Sequence, residues 1–315
     1  MQPVIKVIGV GGSGVNTISR MTKFQMQGIE LLAVNTDAQA LHFLKGHPGG
    51  PKKILIGKDI TKGLGTGMDA DLGRKSAEES NQEISLALCG EKSGKTDMVF
   101  VTCGLGGGTG SGASPVIAKI SRDLGVLTIA VVTTPFSFEG QERKKIAEKA
   151  LINLKEEVDC ILVISNDKLL KTIDEKTTVA NAFLFCDEIL HQAVQSITDL
   201  ILAPGIINID FASILSVMKN SGQALFGVGK AVGENRAVRA AETAINSPLL
   251  DFSIKGAKGV LFSVSGNDFS LNEIQEAAGV ITKSVDPKAQ IIFGAVKDSN
   301  LKKGEIKITV IATKL

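Results

Sequence analysis

The stretch Gly104-Leu105-Gly106-Gly107-Gly108-Thr109-Gly110-Ser111-Gly112 decides how the first half of the chain folds. It follows an apolar run, Met98–Cys103, that is typical of a buried strand, and it precedes a helical pattern that begins near Pro115. Six glycines in nine residues lose much backbone entropy on folding, so packing alone seldom explains them. Between a strand and a helix, glycines let backbone N–H groups approach a phosphate. The stretch therefore predicts a phosphate-binding loop at the carboxyl end of a strand.

A second glycine-rich stretch, Gly9-Val10-Gly11-Gly12-Ser13-Gly14, follows the apolar run Val4–Ile8. It satisfies G-x-G-x-x-G in the strand–turn–helix context of dinucleotide-binding folds, and Asp37 lies where such folds place an acid on the ribose. A nicotinamide-dependent oxidoreductase therefore stays an alternative, although it needs only one such loop. Two loops at the carboxyl ends of strands in one sheet favour a di- or triphosphate held from two sides.

Strand-like and helical patterns alternate through the first half, which predicts a doubly wound, mostly parallel α/β domain. The remaining predicted strands are Leu31–Asn35, Leu127–Thr133 and Cys160–Ser165. The predicted helices are Gly14–Lys23, Ser76–Ala87, Pro115–Leu124 and Gly140–Glu157. Residues 178–203 then carry a wide apolar stripe at helical spacing, which predicts a long central helix buried between two bodies.

The pattern changes after Pro204-Gly205, which is predicted to end the central helix. The remainder of the chain is predicted to form a smaller α+β domain with a mixed sheet. Its predicted helices are Phe211–Ser221, Arg236–Asn246 and Leu271–Ser284, and its predicted strands are Gln223–Val232, Gly259–Ser265, Ile291–Val296 and Glu305–Thr313. We therefore expect a nucleotide-binding domain at 1–177, a connecting helix at 178–203 and a second domain at 204–315.

Composition excludes several classes of protein. The net charge of +2, with no Lys/Arg block among aromatic residues, gives no footprint for nucleic acid binding. No apolar run approaches the roughly 18 residues of a membrane helix, so direct membrane insertion is not expected. Three histidines and four widely spaced cysteines predict no zinc site and a reducing compartment. Because Met1 leads straight into the first predicted strand, we expect no targeting segment and a cytoplasmic protein.

These stretches together resemble a known family. Residues 106–112 match the GGGTGSG signature of tubulin-type GTPases, and the chain resembles FtsZ, the tubulin-like bacterial cell-division GTPases, nearly from end to end. The other matching segments are Gly9–Gly14, Val34–Asp37, Pro135–Gly140, Ser165–Leu169, Pro204–Ala212 and Val310–Thr313. The resemblance implies the tubulin/FtsZ fold, with a GTP-binding domain at 1–177 and a catalytic loop at the start of the second domain.

The resemblance also implies a GTPase that binds GTP or GDP with Mg²⁺. In the family the two glycine loops wrap the phosphates, and Glu139 and Arg143 match a pair that touches the ribose and phosphates. Asp187 matches the acid that accepts hydrogen bonds from guanine. The nucleotide contacts that the resemblance implies are Gly11, Gly12, Ser13, Asn16, Arg20, Gly104, Gly106, Gly107, Gly108, Thr109, Gly110, Thr133, Pro135, Glu139, Arg143, Asn166, Phe183 and Asp187. The Mg²⁺ ion is expected to be held mainly by phosphates and water, with no metal ligands from the side chains of one subunit.

Hydrolysis in the family requires assembly, because the loop matched by Gly205–Ser213 completes the site of the next subunit in a head-to-tail filament. Asn208 and Asp210 match the family's Asn and first Asp, which position the attacking water and the cation. Ser213 stands where the family has a second Asp, and a serine hydroxyl carries no negative charge at neutral pH. Losing a general base slows a reaction on the order of 10²- to 10⁴-fold. Slow turnover is therefore predicted, and a GTP-dependent scaffold with negligible hydrolysis stays an alternative.

The resemblance further implies a place at the division site, in filaments of the septal ring, with cell-division regulators and membrane tethers as partners besides the chain itself. Family members usually continue past the last strand into a flexible linker and a short tether-binding peptide, and neither follows Leu315 in this sequence. Either the sequence is a truncated form, or the protein reaches its partners differently. Gly63–Asp69 resembles the family's γ-phosphate-sensing loop, although Met68-Asp69-Ala70 replaces the usual Ala-Asn-Pro. Its glycines permit either a switch or a flexible turn.

Overall fold

The computed structural model describes residues 2–23, 28–44, 50–89, 95–170, 177–202, 205–247, 253–298 and 301–314. The protein divides into two compact units, Met1–Val194 and Gln195–Leu315. This division falls within a long helix, so the domain bounds expected from the sequence, at 177/178 and 203/204, stay predictions. Pro204, the residue predicted to end that helix, lies outside the described residues.

The first unit is built on a sheet whose neighbouring strands are all parallel within the described residues. The strands are β1 (Ile5–Val10), β2 (Ile29–Asn35), β3 (Lys52–Leu55), β4 (Met98–Gly104), β5 (Leu127–Thr134) and β6 (Cys160–Ser165). Their order is β3-β2-β1-β4-β5-β6. This is the doubly wound order that reverses between β1 and β4, and it confirms the predicted fold class.

Helices connect these parallel strands, as crossover connections require. They are α1 (Gly11–Lys23), α2 (Ala38–Phe43), α3 (Lys58–Thr61), α4 (Ala70–Glu79), α5 (Asn81–Cys89), α6 (Gly108–Asp123), a 3₁₀ turn at Ser137–Glu139, α7 (Gln141–Glu156) and α8 (Asn166–Leu170). The division between the units falls in α9 (Val179–Leu202), which confirms the long helix predicted from its apolar stripe.

The predicted helix Ser76–Ala87 is wrong, because two helices, α4 and α5, meet there at Ser80. Ser80 Oγ accepts a hydrogen bond from the backbone N–H of Gly57 at 3.1 Å, and Ser80 leaves the helical region at φ −93° and ψ 17°. A serine that bonds to other parts of the backbone offers the chain an alternative to helix. A contact between residues so far apart in sequence leaves no trace in local periodicity.

The central strands explain the continuous apolar runs of the sequence. Every residue of β1 is buried, as expected for a parallel strand covered on both faces. Lys6 is the polar exception in β1. Its Nζ donates to the carbonyl oxygen of Ala87 at 2.8 Å and lies 3.0 Å from the carboxylate of Glu30. A buried ammonium with both partners is satisfied, so Lys6 is a structural residue.

The second unit contains a mixed sheet, as predicted. Its strands are β7 (Gly205–Ile207), β8 (Gly222–Val232), β9 (Gly259–Gly266), β10 (Gln290–Lys297) and β11 (Glu305–Thr313), in the order β8-β11-β9-β10-β7. Strands β9 and β10 are parallel, and the other described pairs are antiparallel. The helices are α10 (Phe211–Met218), α11 (Arg236–Ile245) and α12 (Leu271–Lys283). A separate core of buried aliphatic side chains and Phe262 holds α11 and α12 on this sheet.

Candidate nucleotide-binding site

A pocket of about 820 Å³, measured out to its open mouth, lies at the carboxyl ends of β1, β4, β5 and β6. The strand order reverses between β1 and β4 at this edge, which is where doubly wound sheets bind ligands. Most of the predicted nucleotide contacts line it, namely Gly11, Gly12, Ser13, Gly104, Gly107, Gly108, Thr109, Gly110, Thr133, Pro135, Glu139, Arg143, Asn166, Phe183 and Asp187. The structure therefore brings residues from distant parts of the first unit to one cavity.

Three predicted contacts, Asn16, Arg20 and Gly106, are not among the described residues that line this pocket. Asn16 is exposed on α1, and Arg20 points to α9, where it donates to the carbonyl oxygen of Leu184 at 3.3 Å. Gly106 has φ +99° and packs against the backbone of Arg143. Its positive φ favours glycine for the shape of the turn.

Four lining residues were not predicted one by one: Val10, Thr66, Leu105 and Cys186. Val10 and Leu105 lie inside the two glycine stretches, so their position was available from the sequence. Thr66 belongs to the glycine loop 63–69. The resemblance of this loop to a γ-phosphate-sensing loop could have identified Thr66 as a pocket residue. Cys186 precedes Asp187 on α9, and burial raises the pKa of its thiol to about 12, which makes it a neutral part of the wall.

Two helix N-termini open on the phosphate end of the pocket. The structure starts α1 at Gly11 and α6 at Gly108, earlier than the predicted starts at Gly14 and Pro115. The first-turn N–H groups of a helix have no intrahelical partner and carry partial positive charge. Glycine lowers helix propensity, which explains the late predicted starts. Both glycine stretches therefore present a positive helix end to the same cavity.

Only some of the glycines face open space. A Cβ added at Gly12 or Gly107 would meet nothing within 4 Å. A Cβ at Gly112 would instead collide with the carbonyl oxygen of Ala70, and one at Gly108 would collide with Thr66 Oγ1. The run 104–112 therefore combines glycines that leave space at the pocket with glycines that close packing requires. Gly12 and Gly107 leave room for a ligand, whereas Gly108 and Gly112 let α4 and the preceding loop pack against α6.

Three buried threonine hydroxyls connect the loops around the phosphate end. Thr109 Oγ1 lies 2.7 Å from Thr36 Oγ1 and 3.3 Å from Thr66 Oγ1. Thr36 follows β2, Thr66 belongs to the loop 63–69, and Thr109 is in the first turn of α6. Since hydroxyls both donate and accept, a ligand that recruits Thr109 changes the bonds available to the other two. The loop 63–69 is thereby coupled to the pocket.

Glu139 and Arg143 form an ion pair in the wall between the two ends of the pocket. Arg143 Nη1 lies 2.8 Å from Glu139 Oε2, and Glu139 Oε1 accepts a hydrogen bond from the backbone N–H of Phe136 at 2.8 Å. The carboxylate is thus fixed by the backbone, while the arginine is partly exposed. This geometry leaves guanidinium N–H groups able to reach an anionic ligand.

The base end of the pocket is built from side chains. Asn166, the first residue of α8, is buried, and its Oδ1 has no hydrogen-bond partner among the described residues. Phe183 stands edge-on to Phe136 with the ring centroids 5.3 Å apart, and it keeps a partly exposed face. A buried acceptor without a partner is costly, so a ligand that donates to Asn166 would relieve that cost. The residues present therefore fit a nucleotide base.

Asp187 is a buried acid on α9 at this base end. Burial raises the pKa of its carboxyl group to about 6, and the Arg20 guanidinium opposes that rise. Arg20 Nε lies 3.4 Å from Asp187 Oδ2. Burying a carboxylate costs free energy even when a cation lies beside it, so the position is better explained by ligand binding than by stability.

Asp37, the acid that kept the oxidoreductase alternative open, has a structural role in this protein. Its Oδ1 accepts hydrogen bonds from the backbone N–H groups of Gln39 at 2.8 Å and Ala40 at 3.2 Å. It is therefore the N-cap of α2. The position of Asp37 after the second strand is explained by this cap, so it no longer favours a ribose contact.

The predicted catalytic residues lie in the second unit, whereas the pocket lies in the first. Asn208 is exposed, and its Oδ1 accepts the backbone N–H of Gly205 at 2.8 Å. Asp210 is also exposed and caps α10, with Oδ1 2.6 Å from the backbone nitrogen of Ser213. The backbone N–H of Ser213, and then its side chain, lower the pKa of the Asp210 carboxyl. Asp210 is thus a fixed, ionised carboxylate at the surface.

Both parts of the chain match families of known proteins. Residues 4–174 match the family model of the Tubulin/FtsZ family GTPase domain, and residues 222–315 match that of the FtsZ family C-terminal domain. The Cell division protein FtsZ 1 of Pyrococcus horikoshii is 50% identical over 309 residues, covering 98% of this chain and 80% of the relative. The FtsZ 1 of Pyrococcus abyssi shows the same values.

A solved structure is also similar to this protein. The structure titled "FtsZ dimer, empty (M. jannaschii)" superposes with a TM-score of 0.92 at 43% identity, covering 99% of this chain and 88% of that one. Both units of the protein are included in this likeness. The chain therefore belongs to the FtsZ family of tubulin-like cell-division GTPases.

Proposed function

We propose that the pocket of the first unit binds GTP and that the chain polymerises head to tail, so that the loop Gly205–Ser213 of one subunit completes the site of the next. The observation that carries this proposal is the pair of helix N-termini, α1 and α6, that open on one pocket from neighbouring strands. Two such ends hold a chain of phosphates from both sides. The filaments would serve the septal ring in cell division.

The phosphates, the ribose and the base are each assigned to a different region of the pocket. The phosphates lie against the first turns of α1 and α6, beside Gly12, Gly107 and Thr109. The ribose lies near the Glu139–Arg143 pair, and the base lies between Phe183, Asn166 and Asp187. A direct contact from Asn16 stays part of the proposal, although Asn16 does not line the pocket. Arg20 does not line the pocket either, and its guanidinium lies beside Asp187.

Magnesium in this family accompanies GTP and GDP. No group of three or more His, Cys, Asp or Glu side chains in the part of the chain that the structure describes is placed to hold a metal ion. We infer that a bound Mg²⁺ takes most of its ligands from phosphate oxygens and water, as is usual for Mg²⁺ at nucleotides. It would supply neutralisation of the charge that develops on the phosphates.

Catalysis falls to two residues of the neighbouring subunit. Asp210 is ionised and exposed, which suits a carboxylate that orients or polarises an attacking water. Within the described residues, the side chain of Asn208 has a hydrogen bond only at its carbonyl oxygen, so its amide N–H groups are available to the γ-phosphate region. Ser213 offers no charge of its own, and we expect slow hydrolysis. A GTP-dependent scaffold with negligible turnover is the second candidate, favoured by Ser213 alone.

The test measures phosphate release from GTP against protein concentration, with light scattering in parallel. We expect slow release and scattering that rises with GTP, and Ser213→Asp should raise turnover on the order of 10²-fold with scattering unchanged. Ser216→Asp is the matched control, because Ser216 is exposed on the same helix and contacts Ser213. Brisk release by the unchanged protein above a threshold concentration would show that Asp210 suffices.

Location and partners complete the proposal. Among the described helices, none combines the length and apolar character needed to span a bilayer. We propose that the filaments act in the cytoplasm at the division site and meet regulators and membrane tethers there. A fluorescent fusion that stays diffuse in dividing cells would contradict the location.

A further inference from the structure

Arg20 connects α1 to α9 from behind the pocket. Its Nε lies 3.4 Å from Asp187 Oδ2, and its Nη1 donates to the carbonyl oxygen of Leu184 at 3.3 Å. Asp187 lines the pocket, whereas Arg20 does not. The guanidinium therefore contacts the carboxylate on a side that leaves Asp187 accessible to a ligand. Arg20 is also largely shielded from water, with its side chain 22% exposed, so solvent screens this pair only partly.

The charge of Asp187 decides what the base end can recognise. Guanine presents two donors on one edge, the ring N1–H and the exocyclic amine, and an ionised carboxylate accepts from both. A neutral carboxyl group carries its own O–H and loses part of that acceptor capacity. Hypoxanthine has the same ring N1–H but lacks the amine. The preference for guanine over hypoxanthine therefore reports whether Asp187 is charged.

We propose that Arg20 is a positioning residue for specificity, which keeps Asp187 ionised and oriented so that the pocket prefers guanine over hypoxanthine. The proposal rests on the proposed nucleotide function of this pocket. It assigns to Arg20 an action through Asp187 and no contact with the nucleotide.

Electrostatics supports this geometry. Burial raises the pKa of Asp187, and Arg20 is the group that lowers the pKa against that effect. With Arg20 present, the pKa of Asp187 is about 6, so the acid is mostly charged near neutral pH. An opposite charge at this distance typically lowers the pKa of a carboxyl group by about one to three. Removing the guanidinium would therefore bring the titration of Asp187 to about pH 7 or above.

Other ionisable groups near this end are carried by α9 itself, by the 3₁₀ turn before α7 and by α7. Burial lowers the pKa of His191, and the charge of Arg20 adds to that effect. The Cys186 thiol stays neutral because burial raises its pKa to about 12. Among the residues that the structure describes, the remaining groups are Glu139, Arg143 and Glu188. Because His191 also feels Arg20, its titration must be separated from that of Asp187.

The experiment measures the affinities of GDP and inosine diphosphate between about pH 5 and pH 8 by calorimetry, at protein concentrations that give no scattering. Both ligands carry the same diphosphate, whose titration cancels in the ratio of the affinities. In the unchanged protein we expect the preference for GDP to fall by up to about tenfold between pH 8 and pH 5, around a midpoint at about pH 6. Arg20→Gln should move that midpoint upward by about one pH unit or more, and Arg20→Lys should restore it.

Controls separate recognition from structure. Asp187→Asn should make the ratio independent of pH, and His191→Gln should leave the midpoint of the unchanged protein in place. Arg122→Gln is the matched control, since Arg122 on α6 also donates to a backbone carbonyl, that of Glu156, at 2.7 Å. It should leave the ratio unchanged. The control removes a guanidinium that also links two helices but does not line the pocket.

Two outcomes overturn the proposal. In the first, Arg20→Gln lowers the affinities of both diphosphates equally and leaves the midpoint unchanged. Arg20 would then only hold α1 against α9. The unchanged protein could also show a ratio that does not vary with pH, a test that needs no variant to fold. Failure of the proposed function is a separate result, because then neither diphosphate would bind the unchanged protein.

Discussion

At the phosphate end of the pocket the backbone provides the contacts, whereas at the base end side chains provide them. The first turns of α1 and α6 present N–H groups that do not titrate, and glycines keep the approach open. At the base end, burial raises the pKa of Asp187 to about 6, and the Arg20 guanidinium opposes that rise. The two ends therefore respond to different perturbations. Steric changes should weaken phosphate binding, whereas changes in charge or pH should weaken recognition of the base.

The largest expected effect tests the glycines of the phosphate end. Gly112→Ala places a Cβ against the carbonyl oxygen of Ala70, so the free energy of unfolding of the nucleotide-free protein should drop by about 3 kcal/mol. Urea denaturation measures this change. Gly107→Ala is the matched variant, because its Cβ meets nothing within 4 Å. It should keep the stability within about 0.5 kcal/mol and weaken GDP binding. Equal stability losses would remove the distinction between packing and ligand-facing glycines.

A smaller effect tests the base end through its pH dependence. The folded-state pKa of Asp187, about 6, lies above the ordinary value of 3.8. The folded protein thus binds this proton more tightly than the unfolded chain, and the stability that protonation provides is lost as the pH rises through about 6. At about pH 7.5, Asp187→Asn should therefore raise the free energy of unfolding of the nucleotide-free protein by about 2 kcal/mol. The gain should vanish below about pH 4.

Urea midpoints across this pH range check the prediction. Asp71→Asn is the control, because Asp71 is exposed on α4 and Arg74 lowers its pKa, so its effect should have the opposite sign. A loss of stability for Asp187→Asn at neutral pH would mean that the ion pair with Arg20 outweighs the burial of the carboxylate.

The smallest effect tests how the loop 63–69 is coupled to the pocket. Thr36→Val removes the hydroxyl that lies 2.7 Å from Thr109 Oγ1, which should lower the free energy of unfolding by about 1 kcal/mol. The preference for a non-hydrolysed GTP analogue over GDP should fall by about threefold to tenfold, as measured by calorimetry. Thr128→Val is the control, because this buried threonine bonds to Ser121 at 2.8 Å, away from the pocket. It should lose similar stability and keep the nucleotide preference.

The fold class and the position of the pocket could be predicted from the residues alone. Two glycine stretches after apolar strands place two loops at one edge of a parallel sheet, because the carboxyl ends of parallel strands share an edge. The long helix α9 was also predictable, since its apolar stripe recurs at helical spacing over its whole length. The base-end residues Asn166 and Asp187 came from the family resemblance, because no local pattern brings α8 and α9 to the same cavity.

The roles of individual residues within that frame emerged only from the folded protein. In it, Gly112 packs against α4 while Gly107 faces open space, Asp37 caps α2, and Arg20 contacts Asp187 from outside the pocket. The physical reason is common to all three. Residue type and spacing report local preference, whereas steric closeness and electrostatic pairing depend on atoms far apart in sequence that meet only when the chain has folded.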